Sequence, residues 1–153
     1  CHQILYFYNY LKQPWKCQEK VRYIMDTFYG NKPDALSGND DCGQMSARYI
    51  FNTMGFYPTA PSSNVYNLGS PGLAAVDMKM SNGKHLRMTT GNWSARNVFV
   101  KEVYLNGKKY DKSYITYNDI KDGADLHFVM SSRPNYKRGV AERAVPPSVS
   151  EKR

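Results

Sequence analysis

The spacing of apolar residues changes once along this chain, and the change predicts two kinds of secondary structure. Up to about Pro58 apolar residues recur at helical intervals, and from about Val65 they alternate with polar residues as in strands. The boundary falls within residues 58–64. The predicted regions are 1–60 (helices), 61–135 (strands) and 136–153 (an extended polar tail).

Three helices are predicted in the first region. The opening run CHQILYFYNYL is typical of the end of a helix that is buried on most sides. The second helix begins at Pro14 and stops before Gly30. Its apolar stripe consists of Cys17, Val21, Ile24, Met25 and Phe28. The third, GQMSARYIFNTMG, is apolar on nearly every face, which indicates burial deep in a bundle. Three such helices cannot close a helical domain alone, so we expect them to end a larger α domain.

Short strands separated by tight turns are predicted in the second region. AAVDMKM and HLRMTT flank one Asn-Gly pair, NVFVKEVYL precedes another, and DLHFVM follows an Asp-Gly pair. Asn-Gly between alternating segments is the strongest short signal for a hairpin. Five or six such strands predict a small antiparallel sheet or sandwich.

Composition excludes several classes of function. The net charge of +8 is spread along the 153 residues, and we find no nucleic-acid-binding module, so nucleic acid is not an expected partner. No run of eighteen apolar residues is present, so no membrane span is predicted. Three cysteines without a CxxC pair argue against a disulfide scaffold and a structural zinc site, and we expect buried thiols.

The stretch SGNDDCGQMS contains adjacent aspartates, Asp40 and Asp41, and two interpretations fit it. Asp41 stands three residues before Gln44 at the expected start of the third helix, which is the spacing of a capping box. Alternatively, the flanking glycines allow the loop to present a carboxylate to a cleft. A carboxylate at a helix N-terminus is favoured in its ionised form and suits a general base. Both roles can coexist in one loop.

The same residues carry a resemblance to a known family. The block PWK-Q-VR-IMDTFY, the loop GNDDCGQMSA and the run GFYP..P.SN.Y..GSP resemble, in this order and spacing, the end of the catalytic domain of glycoside hydrolase family 92. The similarity continues through VYLNGK, SYITYNDI and GADLHFVMSSRPN, to about Asn135. Family 92 comprises calcium-dependent exo-α-mannosidases that act with inversion of configuration.

The resemblance implies a fold and a reaction. It implies that the chain comprises the last helices of an (α/α)6 barrel followed by terminal strands. It also implies part of an enzyme that removes terminal α-mannose from glycans of the N-glycan or mannan type, with Ca²⁺ as cofactor and export to the periplasm, cell surface or medium.

Several site residues are implied by the family motif. Asp41 takes the position of the general base, and Asp40 a supporting position. An assisting residue is implied at position 39, where many members have a second aspartate; Asn39 departs from that pattern. The opening CHQ resembles a segment that lines the sugar pocket, which places His2 or Gln3 near substrate. The calcium ligands are not assigned.

No residue in the chain matches the family's general acid, which we expect upstream. The isolated chain is therefore expected to be inactive without the upstream part of the enzyme. Two alternatives remain for the strands: a non-catalytic glycan-binding module, which Trp93 and the thirteen tyrosines favour, or a structural β-domain that stabilises the barrel.

Overall fold

The computed structural model of the chain describes residues 3–33, 35–36, 38–60 and 62–148. Helices come first and strands follow, as the apolar pattern predicted. The helical segments are 3₁₀ Ile4–Tyr6, α1 (Phe7–Tyr10), α2 (Pro14–Phe28), 3₁₀ Asp41–Gly43, α3 (Gln44–Thr53), α4 (Tyr117–Ile120) and 3₁₀ Glu142–Ala144. The strands are β1 (Phe56–Tyr57), β2 (Val65–Leu68), β3 (Ala75–Lys79), β4 (His85–Gly91), β5 (Phe99–Leu105), β6 (Lys108–Lys109), β7 (Tyr114–Thr116) and β8 (Ala124–Ser131). In the described ranges, no helix has the length and apolar character needed to cross a membrane.

Helix α2 follows its predicted stripe in part, since Ile24 is half-buried and Phe28 is 47% exposed. Pro14 occupies the first turn, where its missing N–H costs no hydrogen bond. Cys17, Val21 and Met25 are buried together on one face. The helix ends at Phe28, before Gly30, because Tyr29 has extended backbone angles.

The first helix differs from its prediction. The opening run forms a 3₁₀ turn and a single α-turn, α1, which bury Tyr6 and Asn9. Ile4, Phe7 and Leu11 are each more than half exposed, so this helix is not buried on most sides by the residues that the structure describes.

Helix α3 also buries a face that its composition did not predict. Met45 is buried beside two polar residues, Arg48 and Asn52, whereas Ile50 is 57% exposed. Gly55 ends the helix with a φ of +87°, and a Cβ there would lie 3.0 Å from the Phe128 ring. The helix terminus therefore approaches the sheet more closely than a larger residue would allow.

The strands form two sheets. Strands β1, β2 and β7 make an antiparallel sheet in the order β1-β2-β7. The larger sheet has the order β3-β4-β8-β5-β6.

The larger sheet is mixed, so the predicted wholly antiparallel arrangement is wrong. Strand β8 inserts between β4 and β5, pairing parallel to β4, from Leu86 with Ala124 to Gly91 with Val129, and antiparallel to β5. Turn signals report pairing between neighbouring strands only, and they contain no information about a later strand that enters between two earlier ones.

Both Asn-Gly turns are present, with different geometries. Asn106 and Gly107 have φ angles of +50° and +77° and join β5 to β6 directly, as a type I′ hairpin requires. Between β3 and β4 only Gly83 has a positive φ, and a longer loop separates Lys79 from its partner His85.

Two apolar clusters are linked by buried polar side chains. The larger cluster, in the sheets, includes Phe128, Leu126 and Met88, and the smaller joins Tyr6, Cys17, Val21, Met25 and Tyr57. Three helical side chains satisfy backbone groups of the strands and their loops. Asn9 Nδ2 donates to the carbonyls of Leu68 (2.8 Å) and Ser113 (3.1 Å), Gln18 Oε1 accepts from the N–H of Val100 (3.0 Å), and Arg22 Nη1 donates to the carbonyl of Pro71 (2.9 Å).

The segment after residue 136 is not simply an extended polar tail. Arg138, Ala144 and Pro146 are buried, and the Ala144 carbonyl accepts hydrogen bonds from Ser113 N (2.8 Å) and Ser113 Oγ (2.9 Å). These contacts anchor the segment to the strand region because Ser113 is itself fully buried.

Candidate active site

The loop before α3 holds its two aspartates in unlike surroundings. Asp40 Oδ1 accepts hydrogen bonds from the backbone N–H groups of Met45 (2.7 Å) and Ser46 (3.0 Å). Asp40 Oδ2 accepts a third from Ser46 Oγ at 2.7 Å. The first N–H groups of a helix have no intrahelical partner, so Asp40 caps α3. We call these three hydrogen bonds the Asp40 cap.

The predicted capping box of Asp41 and Gln44 is therefore wrong. Cys42 (φ 56°, ψ 24°) and Gly43 (φ 71°, ψ 17°) are both left-handed, and together with Asp41 they form a 3₁₀ turn between Asp40 and α3. Because of this turn, the residue that caps α3 precedes its N–H partners by more than the three residues of a capping box, and Asp40 makes the cap.

Asp41 is exposed at the start of this 3₁₀ turn. Among the residues that the structure describes, its carboxylate makes no hydrogen bond or ion pair. It is thus available to a ligand or a water molecule, whereas Asp40 is occupied by the helix.

The hydrogen bonds of the cap lower the pKa of Asp40, with the Ser46 hydroxyl contributing most, followed by the backbone N–H of Ser46. The hydrogen bond from the Met45 N–H lowers the pKa as well, by a smaller contribution. Asp40 therefore stays ionised at acid pH values where an ordinary carboxyl begins to take up a proton.

A layer of buried polar groups lies on the inner face of α3, and sequence reasoning missed it. Tyr6 Oη donates to Asn52 Oδ1 at 2.5 Å, and the Tyr6 ring stacks on Tyr57 at a centroid distance of 5.4 Å. Arg48, one turn before Asn52, is 6% exposed. Burial raises the pKa of the Tyr6 hydroxyl well above its ordinary value. The i, i+4 spacing of Arg48 and Asn52 was the available signal, but surrounding apolar residues obscured it.

The other predicted site residues lie in different places. Asn39 is exposed beside the aspartates. Gln3 is half-buried at the start of the first 3₁₀ turn, where its carbonyl accepts a hydrogen bond from Tyr6 N at 2.9 Å. That turn contacts the C-terminal half of α3 through Tyr6 and Asn52, whereas Asp41 precedes the N-terminus of α3. His2 lies outside the described residues.

Two cysteines are described, and they differ. Cys17 is buried, and desolvation raises the pKa of its thiol. Cys42 is exposed, contrary to the expectation of buried thiols, because it lies in the left-handed turn beside Asp41.

A metal ion is held by a cluster of ligating side chains. The described part of the chain contains no group of three or more His, Cys, Asp or Glu residues placed to hold a metal ion. Calcium takes six to eight oxygen ligands, which the loop of Asn39, Asp40 and Asp41 does not supply.

Comparison with known proteins identifies relatives of the chain. Residues 1–132 match the family model "Glycosyl hydrolase family 92 catalytic domain". The chain is 67% identical to the family GH92 alpha-mannosidase BT3965 from Bacteroides thetaiotaomicron, whose structure was solved in complex with mannoimidazole. The TM-score is 0.96, and the match covers 98% of this chain and 20% of that one.

More distant relatives give a consistent result. The family GH92 inverting mannosidase BT2199 from Bacteroides thetaiotaomicron is 34% identical, with a TM-score of 0.91 over 97% of this chain and 20% of that one. An uncharacterized secreted glycosidase from Arthroderma benhamiae is 26% identical over 147 residues, which are 94% of this chain and 19% of the relative. The chain thus spans about a fifth of the length of these relatives.

Proposed function

The chain belongs to glycosyl hydrolase family 92, and from this premise we propose that it is part of an inverting exo-α-mannosidase in which Asp41 is the general base. The substrates are glycans with terminal α-mannosyl residues, of the N-glycan or mannan type. The mannosidases among its relatives support this assignment.

One observation carries the role of Asp41. The cap of α3 is completed by Asp40, so Asp41 is exposed, and it makes no hydrogen bond within the described ranges. A general base must be free to accept a proton from water, and a carboxylate that already accepts three hydrogen bonds is less suited to this role.

The reaction is a single displacement. Asp41 takes a proton from water as the water attacks the anomeric carbon, while a carboxylic acid on the opposite side protonates the departing glycosidic oxygen. In inverting enzymes these carboxyl groups stand roughly 6.5–9.5 Å apart, which leaves room for the water. We place the general acid outside this chain, so the isolated chain is inactive and needs the upstream part of the enzyme.

We further propose that α1, α2 and α3 are the last helices of an (α/α)6 barrel. Exposed apolar side chains support this, because burying them against further helices would be energetically favourable; they are Ile4, Phe7, Leu11 and Ile50. The domain division follows: 1–60 completes the barrel, 61–135 forms the terminal strand region and 136–153 follows it. The strands act structurally, because Asn9, Gln18 and Arg22 tie the helices to them.

Two further assignments rest on the family and its members. We propose that the calcium ion that the resemblance implies is held by ligands from outside the described residues, which contain no group of three or more His, Cys, Asp or Glu placed to hold a metal ion. Export to the periplasm, cell surface or medium is supported by the relative from Arthroderma benhamiae, which is named a secreted glycosidase.

The test compares wild type, Asp41→Asn and Asp41→Ala in the full-length product of the gene. We expect turnover of an α-mannoside to fall about 10²- to 10⁴-fold in both variants, with folding and substrate binding retained. Azide should restore turnover in Asp41→Ala and yield the β-mannosyl azide, because azide attacks without losing a proton. Unchanged turnover, or a loss explained by unfolding in circular dichroism, would reject Asp41 as the base.

A further inference from the structure

Asp40 holds the loop that carries Asp41 through hydrogen bonds to both its side chain and its carbonyl. The Asp40 side chain reaches forward to Met45 and Ser46, in the first turn of α3. Its carbonyl also accepts a hydrogen bond from the N–H of Gly43 at 3.0 Å. Asp41 and Cys42 therefore lie in a short loop held on both sides by one residue.

The backbone within this loop is not one that the sequence favours locally. Cys42 is left-handed with a φ of 56°, and Gly43 follows it with a φ of 71°. A left-handed conformation is unfavourable for Cys42, which has a Cβ atom, and costs Gly43 little, so the conformation at Cys42 persists only where other contacts hold it. The Asp40 cap supplies those contacts, so losing it would let the loop relax and Asp41 move.

Ser46 fixes the orientation of the Asp40 carboxylate. The two backbone N–H groups both bind Oδ1, and the Ser46 hydroxyl is the donor to Oδ2. Without that hydroxyl the carboxylate would keep its helix contacts through one oxygen but could rotate about them. The direction in which the Asp41 side chain extends from the loop would then be less well defined.

We propose that Asp40 and Ser46 are positioning residues that aim the Asp41 carboxylate at the attacking water. This inference rests on the proposed role of Asp41 as general base. Catalysis by a positioned base is sensitive to small displacements, and a misplacement of about 1 Å can cost roughly 100-fold in rate. A loop held by three hydrogen bonds meets that requirement better than a free loop tip.

The chain contains a matched control for loss of a helix cap. At α4, Thr116 is the N-cap residue, and Oδ2 of Asp119, in the first turn, accepts hydrogen bonds from Thr116 N (2.7 Å) and Thr116 Oγ1 (2.8 Å) as part of a capping box. This cap lies in the strand region and not in the loop that carries Asp41. Asp119→Ala therefore removes a comparable carboxylate cap without changing the loop before α3.

The experiment measures kcat, KM and the unfolding temperature of the full-length product for Asp40→Ala, Ser46→Ala, Ser46→Thr and Asp119→Ala. We expect kcat to fall about 10- to 100-fold in Asp40→Ala and several-fold in Ser46→Ala, with KM within about twofold of wild type. Ser46→Thr keeps the hydroxyl and should restore kcat. Asp119→Ala should lower the unfolding temperature and leave kcat unchanged.

A double variant separates this inference from the proposed function. If Asp40 acts through Asp41, Asp40→Ala should cause no further loss of residual turnover in an Asp41→Ala background. If Asp41→Ala is inactive but the Asp40 and Ser46 variants keep the wild-type kcat, the cap is only structural and the inference is overturned. If Asp41→Ala itself retains turnover, the base assignment fails, whatever the cap variants show.

Discussion

In the five-stranded sheet the fully buried large side chains are apolar, such as Phe128 and Met88, whereas α1 and α3 bury Asn9 and Asn52 and leave Ile50 mostly exposed. The sheet thus covers its own apolar surface. The helices instead satisfy backbone groups of the strands with polar side chains, and α1 and α3 leave apolar side chains such as Phe7 and Ile50 exposed. Buried side chains in the sheet therefore mark a closed apolar core. Buried polar side chains in the helices mark a junction, where one side of the helices binds the strands and the other exposes apolar side chains.

The largest expected effect tests the closed core of the sheet. Phe128 has no exposed surface, and Phe128→Ala should lower the free energy of unfolding by about 3–5 kcal/mol because it leaves a cavity in a packed core. Urea unfolding of the full-length product measures the change. Tyr117→Ala, at a side chain that is 52% exposed, is the control and should cost well under half as much. Equal losses in the two variants would contradict a core centred on Phe128.

A smaller effect is expected where the helices meet the strands. Asn9→Leu removes both donors to the carbonyls of Leu68 and Ser113 and should cost about 2 kcal/mol, because burying a carbonyl without a partner is unfavourable. The same urea measurement applies. Asn135→Leu is the matched control, since Asn135 Nδ2 also donates to a carbonyl, that of Lys101 (2.9 Å), but in an exposed setting. If Asn9→Leu leaves the free energy of unfolding unchanged, the polar junction does not stabilise the protein.

The smallest effect compares two carboxylates, one in each region: Asp40 is half-buried and Asp77 is exposed. Hydrogen bonds from Ser46 lower the pKa of Asp40, and the pKa of Asp77 is lowered by a hydrogen bond from His85, then by Arg87. Both pKa values lie below their unfolded values, so each carboxylate stabilises the fold above about pH 4 and loses that effect as pH falls through its folded pKa.

Salt should separate these two carboxylates. Asp77 lies 3.3 Å from Arg87 Nε, and about 1 M NaCl screens this ion pair, whereas the donors to Asp40 are neutral. Between pH 3 and 6, the unfolding temperatures of Asp40→Asn and Asp77→Asn should both fall less steeply with decreasing pH than that of wild type. High salt should reduce the difference from wild type for Asp77→Asn only. An equal salt effect on both variants would show that charge, not hydrogen bonding, dominates at Asp40.

Local signals predicted much of the fold. Pro14 marked the start of α2, and Asn106-Gly107 marked a hairpin, because each residue type restricts its own backbone. The family resemblance is confirmed over residues 1–132, and the assignment of the aspartate loop as its site stays a prediction. These successes rest on residues whose preferred conformation agrees with their surroundings.

The remaining features depend on contacts that no local pattern contains. Asp40 rather than Asp41 caps α3 because Cys42 adopts a left-handed conformation that few sequence rules would assign to cysteine. The polar face of α3 became visible only when Tyr6 was found against Asn52, 46 positions away in the chain. Parallel pairing of β8 with β4 likewise joins segments distant in sequence.

The central position of β8 has a consequence for the order in which the sheet assembles. Before Ala124–Ser131 leaves the ribosome, β3 with β4 and β5 with β6 form only separate two-stranded ribbons, which are marginally stable in water. Each ribbon exposes an unpaired edge, at β4 and at β5, until β8 occupies both. Closure by a late, sequence-distant strand is slow compared with forming a hairpin. We therefore expect synthesis of the last strand to be the step that joins the two ribbons into one sheet and covers their exposed edges.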